Sequence, residues 1–232
     1  MNRIFIPLMC ALVASLVACS RHDEPVPASA PATSASTPPP PATTQALSEV
    51  LSPEAAAHLV RPHSPVLGAA KARVTVVEVL DPACEACRAF APVVEQLLFL
   101  YPEDVRVVVR FADFHPPSLG AIRLLEAARR QGKFPEMLHA LFERQEEWAS
   151  HATPDPARAW KIAGDIGVDI ARARKDALAP GVDSMLRLEA EDLAALKVER
   201  TPTFFVNGKL LVDFGPARLL ELVKNEVGGG VP

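Results

Sequence analysis

The chain has 232 residues, a formal net charge of −4 and 49% hydrophobic residues, which fits one globular domain with some additional parts. Acidic and basic side chains are interspersed and no basic stripe stands out, so nothing in the charge distribution favours a nucleic-acid partner. Proline is the exception to an ordinary composition: its 23 residues crowd toward the N-terminal side.

The chain opens MNRIFIPLMCALVASLVACS, with one basic residue, Arg3, ahead of an apolar run from Ile4 to Ala18. The run is short for a membrane helix and has the layout of an export signal. It ends in Leu16-Val17-Ala18-Cys19, which resembles a bacterial lipobox. The resemblance implies a signal peptide over 1–18, cleavage before Cys19 and lipid attachment to the Cys19 sulfur. A plain secretory signal followed by an incidental cysteine is the alternative. Ser20 follows the cysteine where an aspartate would mark inner-membrane retention, so the outer membrane is the expected anchor.

Residues 19–46 continue with Pro, Ala, Ser and Thr, and apart from one valine carry no large apolar side chain. Such a stretch makes no core and is expected to be a disordered or polyproline tether, reaching roughly 70–80 Å at about 3 Å per residue. Of the four cysteines, Cys10 leaves with the signal and a lipidated Cys19 has no thiol. Only Cys84 and Cys87 remain, too few for a disulfide-stapled scaffold.

Residues 47–60 are expected as a short lead-in helix, interrupted near Pro53, and the loop RPHSPVLG carries the chain toward residue 73. VTVVEVL (74–80) is almost wholly aliphatic and β-branched, the pattern of a strand buried on both faces. A helix from about Cys84 to Leu100 and a second strand, VRVVVRF (105–111), complete a βαβ unit with parallel strands. Residues 118–196 read as successive helices, in which Trp148 and Trp160 are packing residues. The cluster Arg172, Arg174, Lys175 reads as a solvated helix face. TFFV and LLVDF flank Asn207-Gly208-Lys209, a strong hairpin signal, and PARLLELVKNEV closes the chain with an amphipathic helix before a disordered tail at 228–232.

Cys84 and Cys87 stand three apart at the start of a helix, on one face, where the unpaired N–H groups favour a thiolate. A redox pair, a metal site and a structural staple all use this spacing. A staple closing so small a loop constrains the unfolded chain little. Zinc needs more ligands, and His115 and Glu78 offer no spacing that supports one. Redox chemistry is therefore the leading reading. The other class is a non-catalytic module that carries copper on the two thiolates, although the sparse methionines form no supporting cluster.

The β-α-β, helical insertion, β-β-α order with C-x-x-C opening the first helix resembles the thioredoxin fold, and the size of the insertion resembles the DsbA-like thiol:disulfide oxidoreductases. Glu78 in VVEVLDPAC, Pro92 after Cys87, and Thr201-Pro202 in RTPTFFVNG carry the resemblance. It implies an α/β domain over 74–227 and a redox-active Cys84–Cys87 disulfide in place of any cofactor, with no metal. It also implies that Cys84 is the nucleophile, that Cys87 resolves, and that Glu78 is a buried proton-transfer group. The Thr201-Pro202 bond would be cis, presenting backbone to a client strand. His115 is read as an ordinary loop histidine. The expected partners are cysteine-containing envelope proteins and a redox partner, with the protein a lipid-anchored, periplasm-facing monomer. A reductase or isomerase dedicated to one envelope client is the alternative within enzymes. Glu85-Ala86 departs from the Pro-His of the family's strong oxidant. With no histidine to offset Glu85, its carboxylate is expected to oppose the Cys84 thiolate and make the pair more reducing.

Overall fold

A computed structural model describes residues 47–229. The expected signal peptide, the Cys19 lipid site, the 19–46 tether and the last three residues of the expected tail lie outside them.

The two aliphatic stretches form the centre of the sheet. Strand β3 (Val74–Leu80) and strand β4 (Val105–Phe111) pair in parallel, with Glu78 opposite Val109. Helix α2 (Glu85–Leu100) is their crossover. Helices α3 (Ser118–Arg129), α4 (Phe134–Glu143), α5 (Gln145–Trp148), α6 (Pro156–Asp165), α7 (Ile170–Asp176) and α8 (Pro180–Ala195) follow. The chain then returns as β5 (Thr203–Val206), antiparallel to β3, and β6 (Lys209–Leu211), and ends in α9 (Pro216–Gly228). Asn207 and Gly208 both take positive φ, 48° and 79°, as a two-residue turn between strands requires. Helix α9 reaches Gly228, one residue past the expected boundary.

The lead-in corrects the sequence reading. Residues 47–60 are not one helix: Ser48–Val50 is a strand (β1) paired with β6, and Pro53–Ala56 is a single helical turn (α1) capped by Ser52. Val66–Gly68, expected as loop, is strand β2, antiparallel to β4. The sheet thus has six strands in the order β1-β6-β5-β3-β4-β2, and the folded unit includes 47–73 as both of its edges. The apolar period of the lead-in is too short to distinguish a helix from an edge strand. The open edges of β4 and β6 decide it by supplying hydrogen-bond partners.

Each face of the sheet has its own cover. Val74, Val76, Val105, Val107 and Phe204 pack with Phe90, Val94 and Leu97 of α2 and with Leu219 and Val223 of α9. Val77, Val79, Val108 and Phe205 pack on the other side with Leu59, Leu193, Leu196 and Val198. A third core, within the helical segment, surrounds the fully buried Trp148, whose indole N–H donates to the Leu141 carbonyl at 2.9 Å. Trp160 is half-buried beneath Arg174, whose guanidinium lies 4.6 Å from the ring centre.

On the second face Arg110 is fully buried. Its Nε donates to Glu189 Oε2 at 2.9 Å, its Nη2 to Asp192 Oδ2 at 2.7 Å and its Nη1 to the Leu59 carbonyl at 3.0 Å. Arg61 bonds Asp192 from the other side, Nε to Oδ2 at 2.7 Å, and His63 Nε2 lies 2.8 Å from Glu189 Oε1. Burial pushes the Asp192 carboxyl up, but its bonds with Arg61, His58 and Arg110 outweigh burial and hold it well below the usual carboxylate range. This network ties the lead-in, β4 and α8 together. Arg110→Met should lower the free energy of unfolding by about 3–5 kcal/mol in urea titration, because two buried carboxylates lose a partner. A loss under about 1 kcal/mol would mean that Arg61 and the histidines suffice.

Candidate active site

Strand β3 ends at Leu80, and the chain turns through Asp81-Pro82-Ala83 into α2. The Cys84 N–H donates to the Asp81 carbonyl at 3.0 Å, closing the turn. Cys84 is the N-cap of α2, with an extended backbone (φ −76°, ψ 122°) and no side-chain cap bond. The first-turn N–H groups are therefore left facing a sulfur rather than a capping oxygen. Cys87, one turn further, is fully buried against β3, and Cys84 keeps 7% of its surface exposed. Both are free thiols in the structure.

The two sulfurs differ sharply in acidity. Cys84 is lowered to about 5, first by a hydrogen bond from Cys87 and then by the Thr201 side chain and the N–H groups of Cys87 and Ala86, with burial opposing. Cys87 is pushed far up, first by burial, then by its bond to Cys84 and by charge on Cys84 and Glu78. The Asp81 N–H, 3.5 Å from Cys87 Sγ, works in the other direction. Cys84 is thus a thiolate at neutral pH and Cys87 a proton-bearing thiol held against it.

Thr201 and Pro202 stand opposite the sulfurs. Their peptide bond is cis, as the family resemblance implied. The Cys84 thiol, when protonated, donates to the Thr201 carbonyl at 3.4 Å. Past Pro202, a groove of about 390 Å³ runs along Val198, Arg200, Thr203, Val212 and Phe214. Glu78 lies on the α2 side of the sheet and is 3% exposed. Burial pushes its carboxyl up to about 8. It borders a mostly apolar cavity of about 180 Å³ with Ala91, Val94, Leu98 and Leu138, and its charge is felt by Cys87.

Two sequence expectations change here. His115 is not an ordinary loop residue: its backbone N–H and its Nδ1 both meet Asp81 Oδ2, at 3.0 and 2.9 Å. Glu85 also has a histidine near it in space, because His151, after α5, brings its Nε2 to 3.5 Å from Glu85 Oε1. Four residues of this neighbourhood were not singled out from sequence: Asp81, Ser118, Gln145 and His151. Asp81 is fully buried, taking hydrogen bonds from the Ala83 N–H at 2.8 Å and from the Ser118 hydroxyl. Gln145 donates to the Pro82 and Cys84 carbonyls at 2.8 and 3.1 Å, which ties the helical segment to the turn. Asp-Pro after a buried strand is a turn signal that marks Asp81. The other three carry no local signal. Among the described residues, no group of three or more His, Cys, Asp or Glu side chains is arranged to hold a metal ion.

The acidity of Cys84 predicts a pH profile. Its alkylation rate by iodoacetamide should be flat above about pH 6, half-maximal near pH 5 and fall about tenfold per unit below that, since only the thiolate reacts. A midpoint near the ordinary thiol value would show that Cys87 does not share its proton with Cys84.

The thioredoxin family model matches residues 61–225 of the chain. Among curated proteins, the chain is 32% identical over 162 residues to a Na(+)/H(+) antiporter of Mycolicibacterium gilvum, covering 65% of this chain and 25% of that protein. It is 31% identical over 158 residues to another from Herminiimonas arsenicoxydans, covering 68% of this chain and 24% of that one. The chain spans about a quarter of the length of these relatives. Among solved structures it is similar to a thioredoxin-like oxidoreductase of Silicibacter pomeroyi, with a TM-score of 0.62 and 29% identity over 71% of this chain and 92% of that one. BdbD of Bacillus subtilis gives a TM-score of 0.64 at 22% identity, over 72% and 94% of the chains, and α-DsbA1 of Wolbachia pipientis 0.65 at 16%, over 74% and 94%. With its C-x-x-C at the head of α2 and a cis-proline facing it, the chain belongs to the thioredoxin family and shares the fold of the DsbA-type structures.

Proposed function

We propose that the protein exchanges disulfides with cysteine-containing proteins of the bacterial envelope, with the Cys84–Cys87 disulfide as its redox group. The observation that carries this reading is the contrast between Cys84, lowered to about 5 and keeping 7% of its surface exposed, and a fully buried Cys87 pushed far up. In the reducing direction the Cys84 thiolate attacks one sulfur of a client disulfide. A Cys84–client disulfide forms and the other client sulfur leaves as a thiolate. Cys87 then loses its proton and attacks Cys84 Sγ. The Cys84–Cys87 disulfide forms, the second client thiol departs, and two electrons have passed to the client. The oxidising direction runs these bonds in reverse, with Cys87 leaving as a thiolate.

Glu78 is the group that handles the Cys87 proton. It gives the proton in the oxidising direction and receives it in the reducing one, and a carboxyl raised to about 8 is suited to both near neutral pH. The Thr201 backbone offers pairing to an extended client segment, and the groove past Pro202 extends that surface. A Cys84 lowered to about 5 lies between the acidities of thioredoxin-like and DsbA-like nucleophiles, about 7 and about 3.5. The potential should accordingly lie between about −270 and −120 mV. Cys87→Ser should accumulate mixed disulfides through Cys84, seen as client adducts on non-reducing gels, and Cys84→Ser should abolish exchange. Adducts formed through Cys87 instead would reverse the roles.

The lipobox-like Leu16–Cys19 and the Pro/Ala-rich stretch after it support a lipid anchor with the folded domain facing the periplasm, and Ser20 after the cysteine favours the outer membrane. Cys19→Ser should abolish labelling by a radioactive fatty acid and leave the exchange activity of the purified protein unchanged. A mature N-terminus other than Cys19 would overturn the anchor.

A further inference from the structure

The resolving step has a need that the two cysteines and Glu78 do not meet. Cys87 must carry negative charge, as attacking or leaving sulfur, in a fully buried position. A buried charge without a donor is costly. The Asp81 N–H, 3.5 Å from Cys87 Sγ, is a backbone donor aimed at that sulfur. Its direction depends on the Asp81-Pro82-Ala83 turn, and the Asp81 side chain fixes that turn. One carboxylate oxygen accepts from the Ala83 N–H at 2.8 Å and from the Ser118 hydroxyl. The other accepts from the His115 N–H at 3.0 Å and lies 2.9 Å from its ring Nδ1. Both anchoring residues come from the segment after β4, a strand that runs parallel to β3 and delivers them to the same end of the sheet.

We propose that His115 and Ser118 are positioning residues for the resolving step: they hold the Asp81 carboxylate, and through it the Asp81 N–H, against Cys87 Sγ, where that N–H stabilises the sulfur while it is charged. The inference rests on the exchange function above. Four donors saturate the Asp81 carboxylate, so its own negative charge is directed at them and its backbone N–H is what Cys87 senses. Attack by Cys84 does not need this donor, because the bond from Cys87 and the first-turn N–H groups of α2 already stabilise its thiolate. The cluster should act on the second bond exchange and spare the first.

Reduced full-length protein carrying Cys10→Ser and Cys19→Ser throughout, mixed with 5,5′-dithiobis(2-nitrobenzoic acid), separates the two steps. The first thionitrobenzoate is released as Cys84 forms the mixed disulfide, and the second as Cys87 displaces it. His115→Ala should slow the second release about tenfold, the scale of losing one charge-assisted hydrogen bond, and leave the first within about twofold. His115→Asn, whose amide N–H takes the place of Nδ1, should restore the second rate. Both variants lose the ring contact with His151, 6.3 Å between centroids, so recovery in the asparagine variant assigns the effect to Asp81. Asp81→Asn, which sets an amide N–H against the His115 N–H, should slow the second release at least as much. Equal slowing of both releases would reduce the cluster to general scaffolding and overturn the proposal. So would unchanged rates in His115→Ala, or a faster second release in Asp81→Asn, where relief from negative charge would have won. If the parent protein releases no second thionitrobenzoate, it is the exchange function itself that fails.

Discussion

The placing of two sulfurs one turn apart at the head of α2 is the constraint around which the structure is arranged. It needs one cysteine at the N-cap, exposed enough to meet a client, and the other a turn deeper, away from water. The interaction between them lowers Cys84 and raises Cys87, so the acidity difference is a property of the pair. Burial alone would raise both. The helix end breaks that symmetry, because its unpaired N–H groups reach Cys84 while β3 and the core of the helical segment enclose Cys87.

Holding this geometry takes contacts from distant parts of the chain. The turn before Cys84 is gripped on one side by His115 and Ser118 through Asp81 and on the other by Gln145 through the Pro82 and Cys84 carbonyls. The helical segment between β4 and β5 therefore does more than cover the site. It supplies Gln145 to the turn and brings His151 to Glu85, a contact between two exposed groups that is screened by solvent and weak by itself. Opposite, the Thr201 carbonyl and the cis-proline complete the surroundings of Cys84.

The second face of the sheet is organised by charge as well as by apolar packing. Arg110 alternates with Val108 and Ala112 toward α8, where an aliphatic side chain would have continued the core. Its partners Glu189 and Asp192 come from α8, and the carbonyls it holds come from the lead-in. A buried network of this kind adds little net stability over an apolar core but penalises any register in which its members miss each other. It is a reason for the lead-in to settle as a sheet edge and not drift as a free arm.

The sequence by itself determined the strands at 74–80 and 105–111, the hairpin at Asn207-Gly208, the helix opening at the cysteines and the placement of Cys84 and Cys87 one turn apart on it. These rest on local signals: apolar period, turn chemistry and spacing along one chain segment. Glu78 was legible for the same reason, as a lone carboxylate inside an aliphatic strand. The edge strands 48–50 and 66–68 were not, because three residues carry no period and become strands only when β6 and β4 present open hydrogen-bond edges. The roles of Asp81, His115, Ser118, Gln145 and His151 were also beyond sequence. They depend on which loops meet at the parallel end of β3 and β4, and residues 34 to 66 positions apart touch there only because the crossover and the helical packing bring them together. Chemistry that one helix end can perform was written locally, and the acidity and aim of its second sulfur were decided by the tertiary structure, since burial and donor direction are properties of the surroundings.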